Sequence, residues 1–443
     1  MESTAISIEE MRQQLEEAII QADILKIFDL LLTIAVEEWA SDIHIEPFEN
    51  YSRIRIRIDG VLYELIQYPK QIHESIIAKF KIESWQMRPD EKRVPQDARV
   101  SAMTLTNKEL DLRANTLPTV WWEKLVMRIV DKSKKIPPLD ALGIEWSNND
   151  ILFRNLESPT GIILTTWPTW SGKTTTLYSA LSYLNKIEVN ITTYEDPVEN
   201  KMDGLNQSQI RSDIGYTFAA WLRAALRQDP DIIMVWEIRD WETLDTAMEA
   251  AMTWHLVFST IHTNSASETL TRVINLWAKP YMVAGTFNLV MAQRLARKIC
   301  EECKEEYSLK EENPKFYRWV VEALSSMGNA LWVELQKRWI DPQRLKDWIF
   351  FRPKKDWCPD SCGGKPLKWR IWIYEMMEYS DDVKELILKW ASWFEVEKYT
   401  LGKWMLNLER DAIFKALQGH IPIEEVYRLV KHKDYSSILK KQW

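Results

Sequence analysis

Glycine is scarce in this chain. It accounts for 12 of 443 residues, well under the ordinary share of about 7%. Cysteine is scarcer, at four. The opening stretch MESTAISIEEMRQQLEEAII lacks a basic region followed by an apolar core, so no signal peptide is expected. Four cysteines in so long a chain then point to reduced thiols or a bound metal and exclude a disulfide framework. Long apolar runs are missing too. No stretch approaches about 18 uncharged apolar residues, which excludes a membrane-spanning helix. The richest run, ILKIFDLLLTIAV, carries Lys26 and Asp29 and reads as an amphipathic helix. Excess positive charge is absent: the net charge of −8 and pI near 5.6 argue against a generally nucleic-acid-binding surface, though not against a local basic patch. There is no internal repeat and no low-complexity segment.

What is present is an ordinary globular balance, 46% hydrophobic and 28% charged, in a length that suits two or three domains. Residues 8 to 39 show helical spacing throughout. SDIHIEP and YSRIRIRIDGVLYEL alternate polar and apolar residues as half-buried strands do, with Asp59-Gly60 as a turn. RANTLPTVWWEKLVMRIVD reads as another strand pair. Residues 1–135 therefore form a first, smaller α+β domain, and KSKKIPPLDALGI is a linker. From 139 to 443 the pattern changes. GIILTT, VNITTYED, DIIMVWE and HLVFSTIHTN are apolar β-type runs separated by helical spacing, the signature of a mostly parallel α/β sheet. Residues 305 to 357 read as charged and helical, and 381–443 as helices.

Five groups of residues bear on chemistry. Ser171-Gly172-Lys173-Thr174, between a predicted strand and a predicted helix, has the form of the second half of a phosphate-binding loop. There backbone N–H groups wrap phosphate, a lysine reaches the β/γ-phosphates and a hydroxyl meets Mg²⁺. The alternative is a chance SGKT, because the loop's first glycine is missing. Glu195 and Glu237 end apolar strands, either as ordinary strand-end acids or as a water-orienting acid and a metal-shell acid. His255 and His262 flank LVFST and read as structural histidines or as γ-phosphate sensors. Arg223 and Arg227 lie four apart on one helical face, with Arg99 and Arg113 in the first domain. They form a solvated salt-bridge face or offset charge on a transferring phosphoryl group. Cys300-x2-Cys303 and Cys358-x3-Cys362 account for every cysteine and suit thiolate zinc, reduced cysteines being the alternative.

Taken together, ASDIHIEP, RIRIDGVL, RVPQDARV, DLRANTLPTV, SGKTTTLYSAL, TYEDPVE, LRAALRQDPDIIMVWEIRD, HLVFSTIHTN, AQRLARKIC and RIWIYEMMEYS resemble the secretion and type IV pilus assembly ATPases, the GspE/PilB group. The resemblance spans roughly residues 23 to 435. It implies a RecA-like P-loop ATPase domain over 139–443 preceded by the smaller α+β domain, PAS-like in the family, over 1–135. It implies a homo-hexamer in which the first domain caps a neighbour's nucleotide. It implies ATP and Mg²⁺ as ligands, with residues 167–175 (Trp167, Pro168, Thr169, Trp170, Ser171, Gly172, Lys173, Thr174 and Thr175) as the nucleotide loop. Thr174 and Glu237 would hold Mg²⁺. Glu195 matches the catalytic glutamate, His255 and His262 the His box, and Arg99, Arg113, Arg223 and Arg227 the arginines around the phosphates. The cysteines match a zinc lobe over 300–370, a feature the pilus-retraction ATPases lack; the second pair here is spaced by three residues where the family spaces it by two. The long extra N-terminal domain of many assembly ATPases is not in this sequence.

The implied function is pilin polymerisation through an inner-membrane platform protein, by a cytoplasmic protein peripheral to that membrane and without direct nucleic-acid contact. Type II secretion and DNA uptake are alternatives of the same chemistry. A catalytically inactive scaffold subunit is an alternative of a different class, and tryptophan is what raises it. The chain holds 23 tryptophans. Together with glycine they make up an ordinary glycine share. Against the family pattern Trp39, Trp122, Trp167, Trp170, Trp221, Trp236, Trp254, Trp277, Trp369, Trp372 and Trp404 stand where glycine is expected, at turns and close approaches. An indole at Trp170 would occupy the phosphate cradle. UGA codons decoded as glycine would explain the substitution pattern and restore a G-x-x-x-x-G-K-T loop.

Overall fold

Alternation builds the first unit. In β2 (Ser52–Ile58) Ile54, Ile56 and Ile58 are buried while Arg53, Arg55 and Arg57 face the other side. The computed structural model describes residues 7–130, 136–166, 172–210, 217–354, 366–403 and 405–430. It divides into two units, Met1–Lys135 and Ile136–Trp443. In the first, β1 (Asp42–Pro47), β2, β3 (Val61–Tyr68), β4 (Gln96–Met103), β5 (Glu109–Pro118) and β6 (Glu123–Val130) make an antiparallel sheet in the order β3-β2-β1-β6-β5-β4. Its isoleucine face packs under α1 (Ile8–Gln21), α2 (Ile24–Glu37) and α3 (His73–Ser84), around Leu15, Ile27, Leu31, Ile45, Ile56 and Phe80. Burying each such side chain contributes roughly 1.5–3 kcal/mol. The single helix expected over 8 to 39 is two. Ala22 takes a left-handed φ of 53°, and the Asp23 carboxylate caps α2 by accepting the Lys26 N–H at 3.1 Å.

In the second unit β7 (Gly161–Thr166), β8 (Ile191–Glu195), β10 (Ile232–Val235) and β11 (Leu256–Ile261) are buried along their whole length and run parallel, with β9 (Asn206–Gln209) at one edge. β12 (Phe287–Ile299) continues the sheet parallel to β7, and β15 (Leu367–Glu378) closes it antiparallel, giving the order β15-β12-β7-β11-β10-β8-β9. Strands buried on both faces read as continuous apolar runs because helices cover both sides. α4 (Trp146–Leu156) and α5 (Lys173–Leu184) pack on one face. α6 (Phe218–Ala225), α7 (Trp241–Met252), α8 (Glu268–Asn275) and α9 (Pro280–Thr286) pack on the other.

Between β12 and β15 the segment expected to be helical throughout is bracketed by strands. β13 (Lys304–Ser308) pairs antiparallel with β14 (Ile349–Pro353), placing Tyr307 opposite Phe350. α10 (Leu309–Glu312), α11 (Pro314–Ser325), α12 (Asn329–Lys337) and α13 (Pro342–Asp347) lie between them. The last region holds helices Asp381–Leu388, Trp393–Lys403, Leu408–Leu417 and Ile423–Val430. No described helix is long and apolar enough to cross a membrane.

Candidate active site

Parallel strands deliver their carboxyl ends to one edge, and ligands of open α/β sheets bind outside that edge. Here the register aligns Leu164 of β7, Ser259 of β11, Val235 of β10 and Tyr194 of β8 in one row. Whatever follows each strand therefore emerges side by side: the loop after Thr166, then His262, Glu237 and Glu195.

α5 starts at this edge. Its N-cap is Gly172 at φ 79°, a left-handed backbone that demands glycine, and a Cβ there would lie 2.6 Å from the Trp372 indole nitrogen. The helix presents free N–H groups and its dipole to an anion. Thr174 and Thr175 are half-buried in its first turn. Trp167, Pro168, Thr169, Trp170, Ser171 and the Lys173 side chain lie outside the described residues.

Glu237 is nearly buried. Its Oε1 meets His262 Nε2 at 3.0 Å and its Oε2 accepts from Arg239 Nε at 2.9 Å. The hydrogen bond to Glu237 raises the Arg239 pKa. Backbone bonds fix the segment from both sides: the Trp236 N–H donates to the Tyr194 carbonyl at 2.9 Å and the Ile238 N–H to the Thr260 carbonyl at 2.8 Å.

Glu195 is completely enclosed. It accepts from Thr193 Oγ1 at 2.6 Å and Gln207 Nε2 at 3.1 Å. The Tyr178 hydroxyl of α5 also donates to it. Burial pushes its pKa up, while the Thr193, Tyr178 and Gln207 hydrogen bonds pull it back. The Tyr178 oxygen also accepts the Glu199 N–H at 3.3 Å.

At the end of β7 the Thr166 hydroxyl donates to the Thr263 carbonyl and accepts the Thr263 N–H, each at 2.9 Å. The end of β7 is thereby tied to the residue after His262. His255 is elsewhere. It precedes β11 at the opposite end of the sheet, where its Nδ1 approaches the Ala250 carbonyl at 2.9 Å. The structure does not bring the two histidines to one site, because a strand separates them.

A family model described as type II/IV secretion system protein matches residues 17–428. The chain is 39% identical over 420 residues to the type IV pilus assembly ATPase PilB of Myxococcus xanthus, covering 95% of this chain and 69% of that one. The chain belongs to the type II/IV secretion system protein family. It is also 37% identical over 410 residues to the type II secretion system ATPase E of Vibrio cholerae, covering 93% of this chain and 76% of that one. Among solved structures, the Legionella pneumophila ATPase DotB superposes with a TM-score of 0.63 at 19% identity, covering 92% of this chain and 96% of that one. The pilus retraction motor PilT superposes at 0.55 with 23% identity, covering 93% and 98%. At that identity the likeness bears on fold alone.

In this secretion-family chain the remaining expected residues fall into three places. Arg223, at the end of α6, pairs with Glu242 at 3.0 Å, and Arg227 donates to the Arg223 carbonyl at 3.1 Å. Both are exposed, and these contacts are those of a solvated face. Arg99 and Arg113 are direct cross-strand partners in the first unit. They extend a row that runs Arg57, Asp42, Arg128, Arg113, Arg99 across five strands. Like charges directly opposite one another are destabilising without a counter-charge, and in this row Asp42 supplies one, lying 3.5 Å from Arg57 Nε and 3.6 Å from Arg128 Nε. Cys300 and Cys303 form a turn, with the Cys303 N–H donating to the Cys300 carbonyl at 3.1 Å. Cys358 and Cys362 lie outside the described residues. The flanks of their segment nonetheless reach the turn: the Cys300 N–H donates to the Pro366 carbonyl at 3.1 Å, and the Lys354 N–H to the Cys303 carbonyl at 2.6 Å. Among the described residues no group of three or more potential ligands gathers around a metal position.

Sequence reading missed Tyr178, Gln207 and Arg239. Arg239 sits two residues beyond Glu237 in EIRD and was within reach of inspection. Tyr178 and Gln207 meet Glu195 only through the fold.

Proposed function

We propose that this chain is a hexameric ATP-hydrolysing motor for type IV pilus assembly, acting at the cytoplasmic face of the inner membrane on a platform protein. One observation carries the reading: the α5 N-terminus, Glu237, His262 and Glu195 emerge along a single edge of a parallel sheet. The Lys173 ammonium and loop amides would hold the ATP phosphates. Thr174 and Glu237 offer hydroxyl and carboxylate oxygens, the hard donors Mg²⁺ prefers, and that ion would neutralise charge on the β- and γ-phosphates. His262 and Arg239 orient Glu237. Glu195, with its raised pKa, suits a group that takes a proton from the attacking water. Arg99, Arg113, Arg223 and Arg227 would offset phosphoryl charge, the first two from the cationic row of the first unit. The pilus relatives support the assembly role, and the type II secretion relatives support the alternative cargo.

The test uses the protein purified from its source. Mg·ATP should raise the melting temperature, since a ligand that binds only the native state stabilises it, and phosphate should be released. Glu237→Gln should keep the ATP-induced shift and lose turnover. No shift and no turnover would instead support the scaffold reading that a tryptophan at 170 favours. Loss of surface pili, rather than of a secreted enzyme, on deleting the gene separates pilus assembly from type II secretion.

The cysteine turn carries a second element of the proposal. Backbone bonds hold both flanks of the Cys358–Cys362 segment against Cys300 and Cys303, a placement suited to tetrahedral thiolate zinc. Metal analysis of the native protein should find zinc that is lost on Cys303→Ser.

A further inference from the structure

Among the described residues, 13 that are not glycine take a positive φ, and nine of them are tryptophan. The other four are Ala22, Asp59, Asn107 and Asp229, mostly the short polar types that tolerate this region. Tryptophan has no such tolerance, because its Cβ meets the following carbonyl.

The backbone around these tryptophans is that of a glycine cap. Helices commonly end in a left-handed residue, usually glycine, whose N–H and whose successor's N–H bond back to the last turn. Gly419 does this: its N–H donates to the Ala416 carbonyl and that of His420 to the Lys415 carbonyl. Trp39 repeats the pattern with Val36 and Ala35, Trp277 with Ile274 and Val273, Trp339 with Gln336 and Leu335, and Trp390 with Ile387 and Leu386. After Trp254 the His255 N–H reaches back to the Ala250 carbonyl at 3.3 Å. Trp85 and Trp348 also end helices in the left-handed region. Trp369, at φ 67°, lies where the β12–β15 register slips between Arg297 and Ile299, the left-handed position of a glycine bulge. Trp146 opens α4 at φ 43°.

Trp348 packs edge-on against Tyr317 at 4.8 Å, but other indoles of this set gain little from burial. Trp85 is 92% exposed and Trp339 87%, so burial does not offset the strain. Trp319 is the contrast. It is 8% exposed, packs against Phe316 and Tyr427, and donates its indole N–H to Glu409.

We infer that the left-handed tryptophans are glycine in the functional protein, specified by UGA codons that the source organism decodes as glycine, whereas Trp319 is a true tryptophan. Trp39, Trp254, Trp277 and Trp369 were marked by family pattern; Trp85, Trp146, Trp339, Trp348 and Trp390 are marked by backbone alone. Trp372 joins them on space. Its indole N–H is buried without an acceptor among the described residues, against the backbone of Gly172. The inference does not rest on the ATPase reading, since none of these positions lies in residues 167–175.

Tandem mass sequencing of tryptic peptides from the native protein tests it. The peptides beginning after Arg338 and after Lys389 should carry glycine at 339 and 390, and the one beginning after Arg318 should carry tryptophan at 319. Tryptophan at either of the first two, or glycine at 319, overturns the inference. As an independent measurement, the full chain made with glycine at the nine left-handed positions should melt higher than the literal chain; an equal or lower melting temperature overturns the backbone argument. ATP hydrolysis is read separately. Glycine at 339 and 390 with no hydrolysis would sink the motor reading and leave this one standing.

Discussion

Glu195 has its charge enclosed, and Tyr178 is the partner whose loss is most informative. The tyrosine hydroxyl helps hold down a pKa that burial raises. Tyr178→Phe should therefore move the acid limb of the kcat profile to higher pH and lower kcat at neutral pH, with the ATP-induced melting shift retained. An unmoved limb would remove Glu195 as the group that takes the proton. The acids themselves were legible in sequence, because an apolar strand ending in a carboxylate is a local pattern. Tyr178 was not, since it stands 17 residues away on a helix and looks like an ordinary core aromatic. At the same scale, a non-glycine residue in the left-handed region costs about 1–2 kcal/mol. Nine such costs, about 9–18 kcal/mol together, are as large as the roughly 5–15 kcal/mol by which a whole domain is stable. Composition flagged the anomaly and family pattern marked part of the set; φ values add Trp85, Trp146, Trp339, Trp348 and Trp390.

Between His255 and His262 runs one six-residue strand, a span of about 20 Å. His262 touches Glu237 and His255 touches a helix end. Losing a partner that orients a metal-shell ligand, the role proposed for Glu237, typically costs about 10–100-fold, so His262→Ala should fall in that range, and Arg239→Ala with it. His255→Ala should leave kcat within about twofold. Equal losses in both histidine variants, measured as steady-state phosphate release, would show that His255 acts on the site from outside this chain's own edge. Strands were readable at this scale because alternation or unbroken burial leaves a direct trace in sequence. The break at Ala22-Asp23 was not, because helical spacing continues across it and only the Asp23 cap gives it away. The β13–β14 pair was hidden by the charged run Lys304-Glu305-Glu306 before Tyr307 and by the brevity of Ile349-Phe350-Phe351.

Across the second unit, buried charges hold distant segments together. Arg338 is fully enclosed and reaches Asp411 and Glu145 at 2.8 Å each, while Asp411 also meets Lys415 at 3.0 Å and accepts the Tyr374 N–H at 2.9 Å. Removing one partner of a buried pair typically costs about 3–5 kcal/mol because the other charge is left uncompensated. Asp411→Ala should therefore lower the melting temperature by several degrees at least; a change too small to measure would mean the network is relieved by water. Glu375 on β15 accepts the Ala266 N–H at 2.6 Å and the Leu408 N–H at 3.2 Å. Burial pushes its pKa up from 4.5 to about 7. The folded state then holds the proton more tightly than the unfolded chain, so this group's contribution to stability falls as pH rises from about 4.5 to about 7 and is level above that. The difference in melting temperature between Glu375→Gln and the parent chain should follow that window, and a difference independent of pH would contradict it. None of these long-range pairs is visible in sequence, since their members are separated by dozens to hundreds of residues. The clasp between Thr166 and Thr263 has a mechanical meaning as well. It couples the end of β7 to the residue after the histidine that grips Glu237, so these two strand ends cannot part without breaking both 2.9 Å hydrogen bonds.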